Sequence, residues 1–491
     1  MKKIIFALLI LVCALLFSCA TDSGSDIAVE NGTPHVIAGG PEAATAGKTA
    51  ASASSLISNP VYAKWVAEYE VAGNPSFFGK PLIVDNAAFA DIPADVRTRK
   101  EKAEALADQN RFLDAWYAYG EDDSEYIVAL KILHAIDCFT DTIMNQMFVF
   151  TNLAPDQDLN EYRENPSQKG EKVFWDPVEA AETYVAENCN GVMPHILEMA
   201  LACYYECSAF EFGDDWFMDM EDTYELSVEY FKKTIVAGVY NDYALYRSID
   251  SFLSAGYISE ALEVIHCLEL SQPDYSYHYY QEALAYMYMG EYQKAKSCAA
   301  KAVLLSQIPT DAAAGAQIFA DAFMYDNQDI NSALAVIEAA KPYMLDEYYE
   351  YNVFKALDIM LYGNQMGKHS YNEDIIRELT DAFAYEPHDD DYLWSLTDLF
   401  YSYECPEIGI RWMVSILPDW KEDNLASGRL NFELGQLYVQ VGDWQKALEC
   451  FTNAEVQLKA AGVYDTATSN IPYYQNVCRE QMLSQPQKNK I

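Results

Sequence analysis

Basic residues are scarce in this chain. Lysine and arginine total 32 of 491 residues against 75 aspartates and glutamates, a formal net charge of −43. So acidic a surface repels phosphodiester backbones and anionic headgroups, which excludes a direct role on DNA or RNA. Membrane-length apolar runs are missing too. The run from Ile4 to Phe17 is shorter than the roughly 20 residues that cross a bilayer. The stretch from Ser124 to Phe150 is interrupted by Lys131, His134, Asp137 and Asp141, so it reads as one or two buried helices. The remaining acidity is the solvated outer face of a folded protein, because 51% apolar and 14% aromatic residues are too many for a disordered chain.

Familiar catalytic and metal motifs are absent as well. There is no Gly-x-Ser-x-Gly elbow, no His-Glu-x-x-His helix and no EF-hand spacing. The seven histidines are scattered, and His388, between Pro387 and Asp389-Asp390-Asp391, has the composition of a turn and helix N-cap. No pair among Cys138, Cys189, Cys203, Cys207, Cys267, Cys298, Cys405, Cys450 and Cys478 forms Cys-x-x-Cys. Cys203 and Cys207 lie one helical turn apart, but no second pair or nearby histidine completes a zinc set. Cys298 and Cys450 stand among alanines as small buried hydrophobes, and few or no disulfides are expected. Gly40 to Thr49 imitates a phosphate loop, but six residues separate its glycines instead of four, and no strand precedes it. No catalytic residue, metal site or cofactor is expected, and the chain reads as a non-enzyme.

What is present begins with an export signal. Lys2 and Lys3 precede the apolar run in the order of a secretory leader. Leu16-Phe17-Ser18-Cys19 then resembles a bacterial lipobox, which implies that residues 1–18 are a signal peptide and Cys19 is lipidated. A lipid holds a chain on a membrane without spanning it. Ala20 rather than aspartate follows Cys19, which in enteric bacteria favours the outer membrane. The expected location is the cell envelope, on the outer membrane facing the periplasm. Residues 19–58 are rich in Ala, Ser, Gly and Thr without a hydrophobic period, and read as a flexible tether.

The folded body is organised around a repeat. Gly256 and Gly290 are 34 residues apart, as are Ala261 and Ala295. Ser227, Phe231 and Thr234 stand the same 34 residues before Ala261, Ile265 and Leu268. Each glycine falls between two helical patterns, and each alanine lies early in the second helix, where a small side chain lets helices approach. Leu245, Ile249 and Phe252 share one helical face, as do Ala261, Ile265 and Leu268, so neighbouring units must stack to bury them. The last unit, about 424–461, carries Leu434, Gly435, Tyr438, Gly442, Trp444, Ala447, Phe451 and Ala454. Together these residues resemble the tetratricopeptide-repeat (TPR) family. The resemblance implies an all-α solenoid, a right-handed superhelix of antiparallel helix pairs with a concave groove. Ser248 and Glu282 depart from it, standing where the family is usually apolar.

The remaining segments read as follows. Tyr62, Trp65, Val66 and Tyr69 recur at helical spacing, and Pro81–Val84 is read as extended. Residues 93–119 predict a helical pair turning at Asn110, and Asn152–Pro177 a long excursion between helices. Helices resume at Val178 and run through Cys203 and Cys207, with later ones at Asn352–Tyr362, Asp374–Ala384 and Tyr392–Ser402. The expected domains are 59–210 with degenerate repeats, a central array at 211–345, and C-terminal repeats at 346–491.

Tyrosine is in excess, at 37 residues. Tyr243, Tyr246 and Asp250 fall on the first-helix face opposite the packing stripe, and Tyr277, Tyr280 and Tyr288 on the next such face. With Tyr325 and Asp326 they compose the candidate partner-binding groove that the resemblance implies, since that family lines its groove with first helices. Tyrosine supplies contact area at low rotamer entropy and a hydroxyl for polar partners. The expected function is a lipid-anchored envelope scaffold holding a peptide or protein, including a transporter component. The alternative is a solute- or glycan-binding lipoprotein serving a periplasmic transporter or uptake system. An enzyme with an unrecognised site is the third class.

Overall fold

A computed structural model describes residues 58–70, 77–84, 88, 92–120, 124–143, 147–213, 218–367, 370–464 and 470–484. The leader, Cys19 and the tether expected at 19–58 lie outside them, except for Ser58. The described chain is mostly helical. Helix α1 (Pro60–Ala67) is followed by α2 (Ala94–Ala107), α3 (Phe112–Ala118) and α4 (Glu125–Cys138). After a small sheet come α5 (Leu159–Glu164), α6 (Pro177–Asn188), α7 (His195–Phe212), α8 (Met220–Ala237), α9 (Asp242–Ser254) and α10 (Ile258–Ser271). The array continues with α11 (Ser276–Met289), α12 (Tyr292–Leu305), α13 (Pro309–Asn327), α14 (Ile330–Ala340) and α15 (Val353–Gln365). It ends with α16 (Asn372–Tyr385), α17 (Asp390–Ser402), α18 (Pro406–Trp420), α19 (Asn424–Gln440), α20 (Trp444–Ala461) and α21 (Ile471–Ser484). No helix among the described residues is long and apolar enough to cross a membrane.

The local sequence explains where these helices start and stop. Short acceptors cap their N-termini: Asn241 takes the amide of Ala244, Asp329 that of Ser332, Asp389 that of Tyr392, and Asp443 that of Lys446. The cap of α17 is therefore the residue next to His388. Gly256 and Gly290 sit at φ 79° and 73°, the left-handed region that ends a helix without a Cβ clash. Asn110, at φ 59°, makes the turn between α2 and α3 as the sequence predicts.

Two segments differ from the sequence reading. The helix beginning at Ser124 ends at Cys138, and the chain then forms strands β1 (Asp141–Ile143) and β2 (Met147–Phe150). Strand β3 (Val173–Trp175) joins them in an antiparallel sheet of order β1-β2-β3, with Phe148 opposite Trp175. The reason is the run Met147-Phe148-Val149-Phe150, whose last three residues are fully buried. A short, bulky, β-branched and aromatic run suits a covered strand as well as a helix. Residues 152–177 thus contain α5 and β3 as well as loop. Pro81–Ile83 is without regular structure rather than a strand.

Elsewhere consecutive helices pack on one another, α7 on α8, α9 on α10, α11 on α12, α13 on α14 and α19 on α20, and each pair packs on the next across α8–α9, α10–α11 and α12–α13. This is a tetratricopeptide-like helical-repeat solenoid. Ser227, Phe231, Thr234, Ala261, Ile265, Leu268 and Ala295 are all buried within it. In the last unit Gly435 lies against Phe451. A Cβ there would meet ring atoms of Phe451 at 2.8 to 3.0 Å, so glycine sets the closeness of α19 and α20. Tyr438, Ala447, Phe451 and Ala454 are buried and Trp444 half-buried, while Gly442 makes the turn at φ 75°.

Candidate functional site

The tyrosine-bearing faces of α9 and α11 come together. The rings of Tyr246 and Tyr277 stack at 4.8 Å with 20° between their planes. The Tyr277 hydroxyl donates to Asp250 Oδ2 at 3.3 Å, and Gln281 Nε2 donates to Asp250 Oδ1 at 3.0 Å. Tyr280 lies 6.3 Å from Tyr277, ring to ring. Tyr243 donates its hydroxyl to Asp137 of α4 at 2.9 Å and accepts from Arg247 Nε at 3.0 Å. Arg247 also bonds Glu206 of α7 at 2.8 Å. Burial pushes the Asp250 carboxyl up to about 6 and that of Glu206 up to about 7, although Arg247 pulls each down.

The other expected groove residues are dispersed. Tyr246 is only 8% exposed, so its ring is mostly spent on neighbouring rings. Tyr275, which the sequence reading passed over, is the accessible member of the stack at 37%, with its hydroxyl 3.4 Å from that of Tyr246. Tyr288 and Tyr325 are exposed, and Tyr325 stacks on Tyr292 of α12. Asp326 binds Lys296 Nζ at 2.6 Å and Gln293 Nε2 at 2.7 Å, both also of α12. Further along the array Asp321 of α13 pairs with Lys355 of α15 at 2.5 Å, and Tyr403 donates to Asp358.

A second assembly is made by residues 59–70 and 77–84, which the sequence reading grouped with 59–210. These residues lie on helices of the central array. Tyr62 packs edge-on against Phe319 at 5.4 Å and donates to the Val336 carbonyl at 3.2 Å. Trp65 meets Phe323 at 5.7 Å and lies under Lys296 Nζ at 5.1 Å. Tyr69 meets Tyr279 at 5.5 Å and donates to Glu269 Oε2 at 3.2 Å. The amides of Phe77 and Phe78 both donate to Glu263 Oε2, at 2.5 and 3.3 Å, and the Ile83 amide to the Tyr240 hydroxyl at 3.2 Å. The array thus holds an aromatic-rich segment of its own chain by ring contacts and by hydrogen bonds to its backbone.

Beneath Tyr69 lies a buried polar cluster. His266 Nε2 is 3.0 Å from Glu282 Oε1, and Cys298 Sγ is 3.1 Å from Glu282 Oε2. Donor atoms of His266, Glu269 and Glu282 all fall within 4.8 Å of one another. Burial, reinforced by the Glu282 charge, drives the Glu269 carboxyl far up. Burial opposes ionisation of Glu282 too, but hydrogen bonds from His266 and Cys298 prevail and lower it. Glu282 and Ser248 are the two departures from repeat spacing that the sequence displays, and both are fully buried. Ser248 donates to the Leu245 carbonyl at 2.7 Å and so satisfies itself within its own helix.

No family model matches the chain, and no curated protein matches it. Among solved structures 33 chains match. One is the crystal structure of the TPR domain of P58(IPK), 12% identical, with a TM-score of 0.20, covering 81% of this chain and all of that domain. The helical-repeat assignment rests on the packing described above.

Proposed function

We propose that this protein is a lipid-anchored scaffold of the bacterial cell envelope that holds a peptide or protein segment on its helical repeats. The anchor is supported by the order Lys2-Lys3, apolar run, Ser18, Cys19. Recognition is carried by one observation, the aromatic and acidic ladder of Tyr246, Tyr275, Tyr277 and Tyr280 around Asp250. Rigid stacked rings beside a carboxylate, with Tyr275 at the accessible end, suit an aromatic or basic peptide. Binding would weaken as salt rises, since a strongly acidic protein attracts such a ligand over a Debye length.

Two measurements test this reading. Cys19→Ala should move the protein from the detergent phase to the aqueous phase on partitioning; unchanged partitioning removes the anchor. An array of basic and aromatic peptides should bind wild type at low salt. Tyr275→Ala, at the accessible end of the ladder, should lose more than about 1 kcal/mol of that binding while melting normally. Oligosaccharide binding in place of peptide binding would assign the ladder to solute uptake. A variant that binds as wild type does would remove the ladder from recognition.

A further inference from the structure

We propose that the surface of α9 to α14 covered by residues 59–70 and 77–84 is a recognition track for a foreign segment. That partner carries aromatic residues at i, i+3 and i+7 of a short helix, followed by a basic residue. The chain's own segment is then a resident competitor that a better-fitting partner displaces. Neither Tyr275 nor Asp250 of the tyrosine ladder belongs to this track.

The track shows its ligand chemistry through what it already holds. Tyr62 and Trp65 share one face of α1, and Tyr69 follows at i+7. Two lysines of α12 read the rings, Lys296 at 5.1 Å from Trp65 and Lys301 at 4.0 Å from Tyr69. Further along, Phe78 meets Phe252 of α9 at 6.0 Å, so the segment runs against the order of the repeats. From residue 77 onward the hold is on the backbone, through the amides of Phe77, Phe78 and Ile83. Backbone bonds bind any sequence, while seats for spaced rings select one. That division of labour belongs to a peptide-binding surface.

The resident segment fills the track imperfectly, and the misfit points to a foreign occupant. Glu263 is 1% exposed, and its Oε2 takes both the Phe77 and Phe78 amides. Its Oε1 is buried with no partner among the described residues. An unpaired buried carboxylate oxygen is costly. Burial pushes this carboxyl up against the pull of the two amides, and the charge of Glu260 adds to the rise. Phe77, whose amide touches the carboxylate, leaves its side chain 54% exposed. A lysine there would give up little packing, and its flexible four-carbon stem can fold back to Oε1. A second copy of this chain would repeat the same unpaired oxygen, so exchange between identical copies gains nothing.

The test uses the full-length protein and a fluorescently labelled synthetic peptide spanning residues 59–84, beside the same peptide with Phe77→Lys. In wild type the tethered resident segment has a high effective concentration, so added peptide should bind weakly. Trp65→Ala in the protein loosens the resident segment and should tighten peptide binding by more than about tenfold, whereas losing a contact to the peptide would weaken it. Tyr69→Phe removes only the hydroxyl bond to Glu269 and should act in the same direction by a smaller factor, which keeps the readout if Trp65→Ala does not fold. The Phe77→Lys peptide should bind about tenfold tighter than the unaltered one, as a charge-assisted bond adds, and Glu263→Gln should remove that preference. Tyr275→Ala should change neither result. Unchanged affinity in the folded variants would overturn the track. Equal binding of the two peptides would overturn the basic partner, and a dimer seen by light scattering would assign the track to exchange between copies instead.

Discussion

Ala261, Ala295, Ala333 and Ala447 are each the fourth residue of the second helix of a pair, and each has no exposed surface. A larger side chain there has no free volume to enter. Ala295→Leu should therefore cost about 1–3 kcal/mol, read as a lower melting temperature by circular dichroism. These alanines were legible in the sequence because packing against the adjacent helix is local and recurs with the unit. Glu282 was visible only as a misfit. Its partners lie 16 residues away on either side, on two different helices, and no local pattern encodes their convergence. Tyr246 shows the same limit. Its place on the first-helix face could be read, but its 4.8 Å stack on Tyr277 depends on how two units meet.

At the level of elements, the repeats followed from periodicity while the sheet and the N-terminal segment did not. Strand β2 is buried on successive residues, so it lacks the alternation that marks a half-exposed strand. Nothing near Tyr62 announces a carbonyl acceptor 274 residues away. That helix is nonetheless expected to be strongly stabilising. Tyr62 is fully buried and Trp65 nearly so, and Trp65→Ala should cost about 3–5 kcal/mol, measured by chemical denaturation. A loss under about 1 kcal/mol would mean that residues 58–70 do not dock on α12–α14.

For the molecule as a whole, acidity is partly turned inward. Glu433 is buried and pushed up to about 7 by burial and by the facing Asp390, with Thr397 and Gln436 opposing through hydrogen bonds. Glu206 reaches about 7 and Asp250 about 6, burial being the main cause in both. Each of these groups holds its proton more tightly folded than unfolded. Their contribution is complete below the unfolded value of about 4.5 for Glu or 3.8 for Asp and is lost as pH rises through 6 to 7. The melting temperature should rise as pH is lowered from 7.5 to 5.5, opposite to a protein held by paired surface carboxylates. Glu433→Gln should flatten that slope, its share over this range being on the order of 2 kcal/mol. An unchanged slope in the variant would assign the pH dependence to other groups.

The docking of residues 59–70 and 77–84 also orders events in time. A helical-repeat array is close to one-dimensional, each unit resting on the last, so its units gain stability as they are made. The segment carrying Tyr62 and Trp65 is synthesised well before its landing surface on Phe319, Phe323 and Val336. During that interval its aromatic rings have no native seat. They close over the array only once the chain has passed residue 336, tying units from Tyr240 to Val336, 96 residues apart, into one cooperative block. The segment works as a late latch, so a chain truncated before α13 would leave a hydrophobic tail for chaperones or proteases to find.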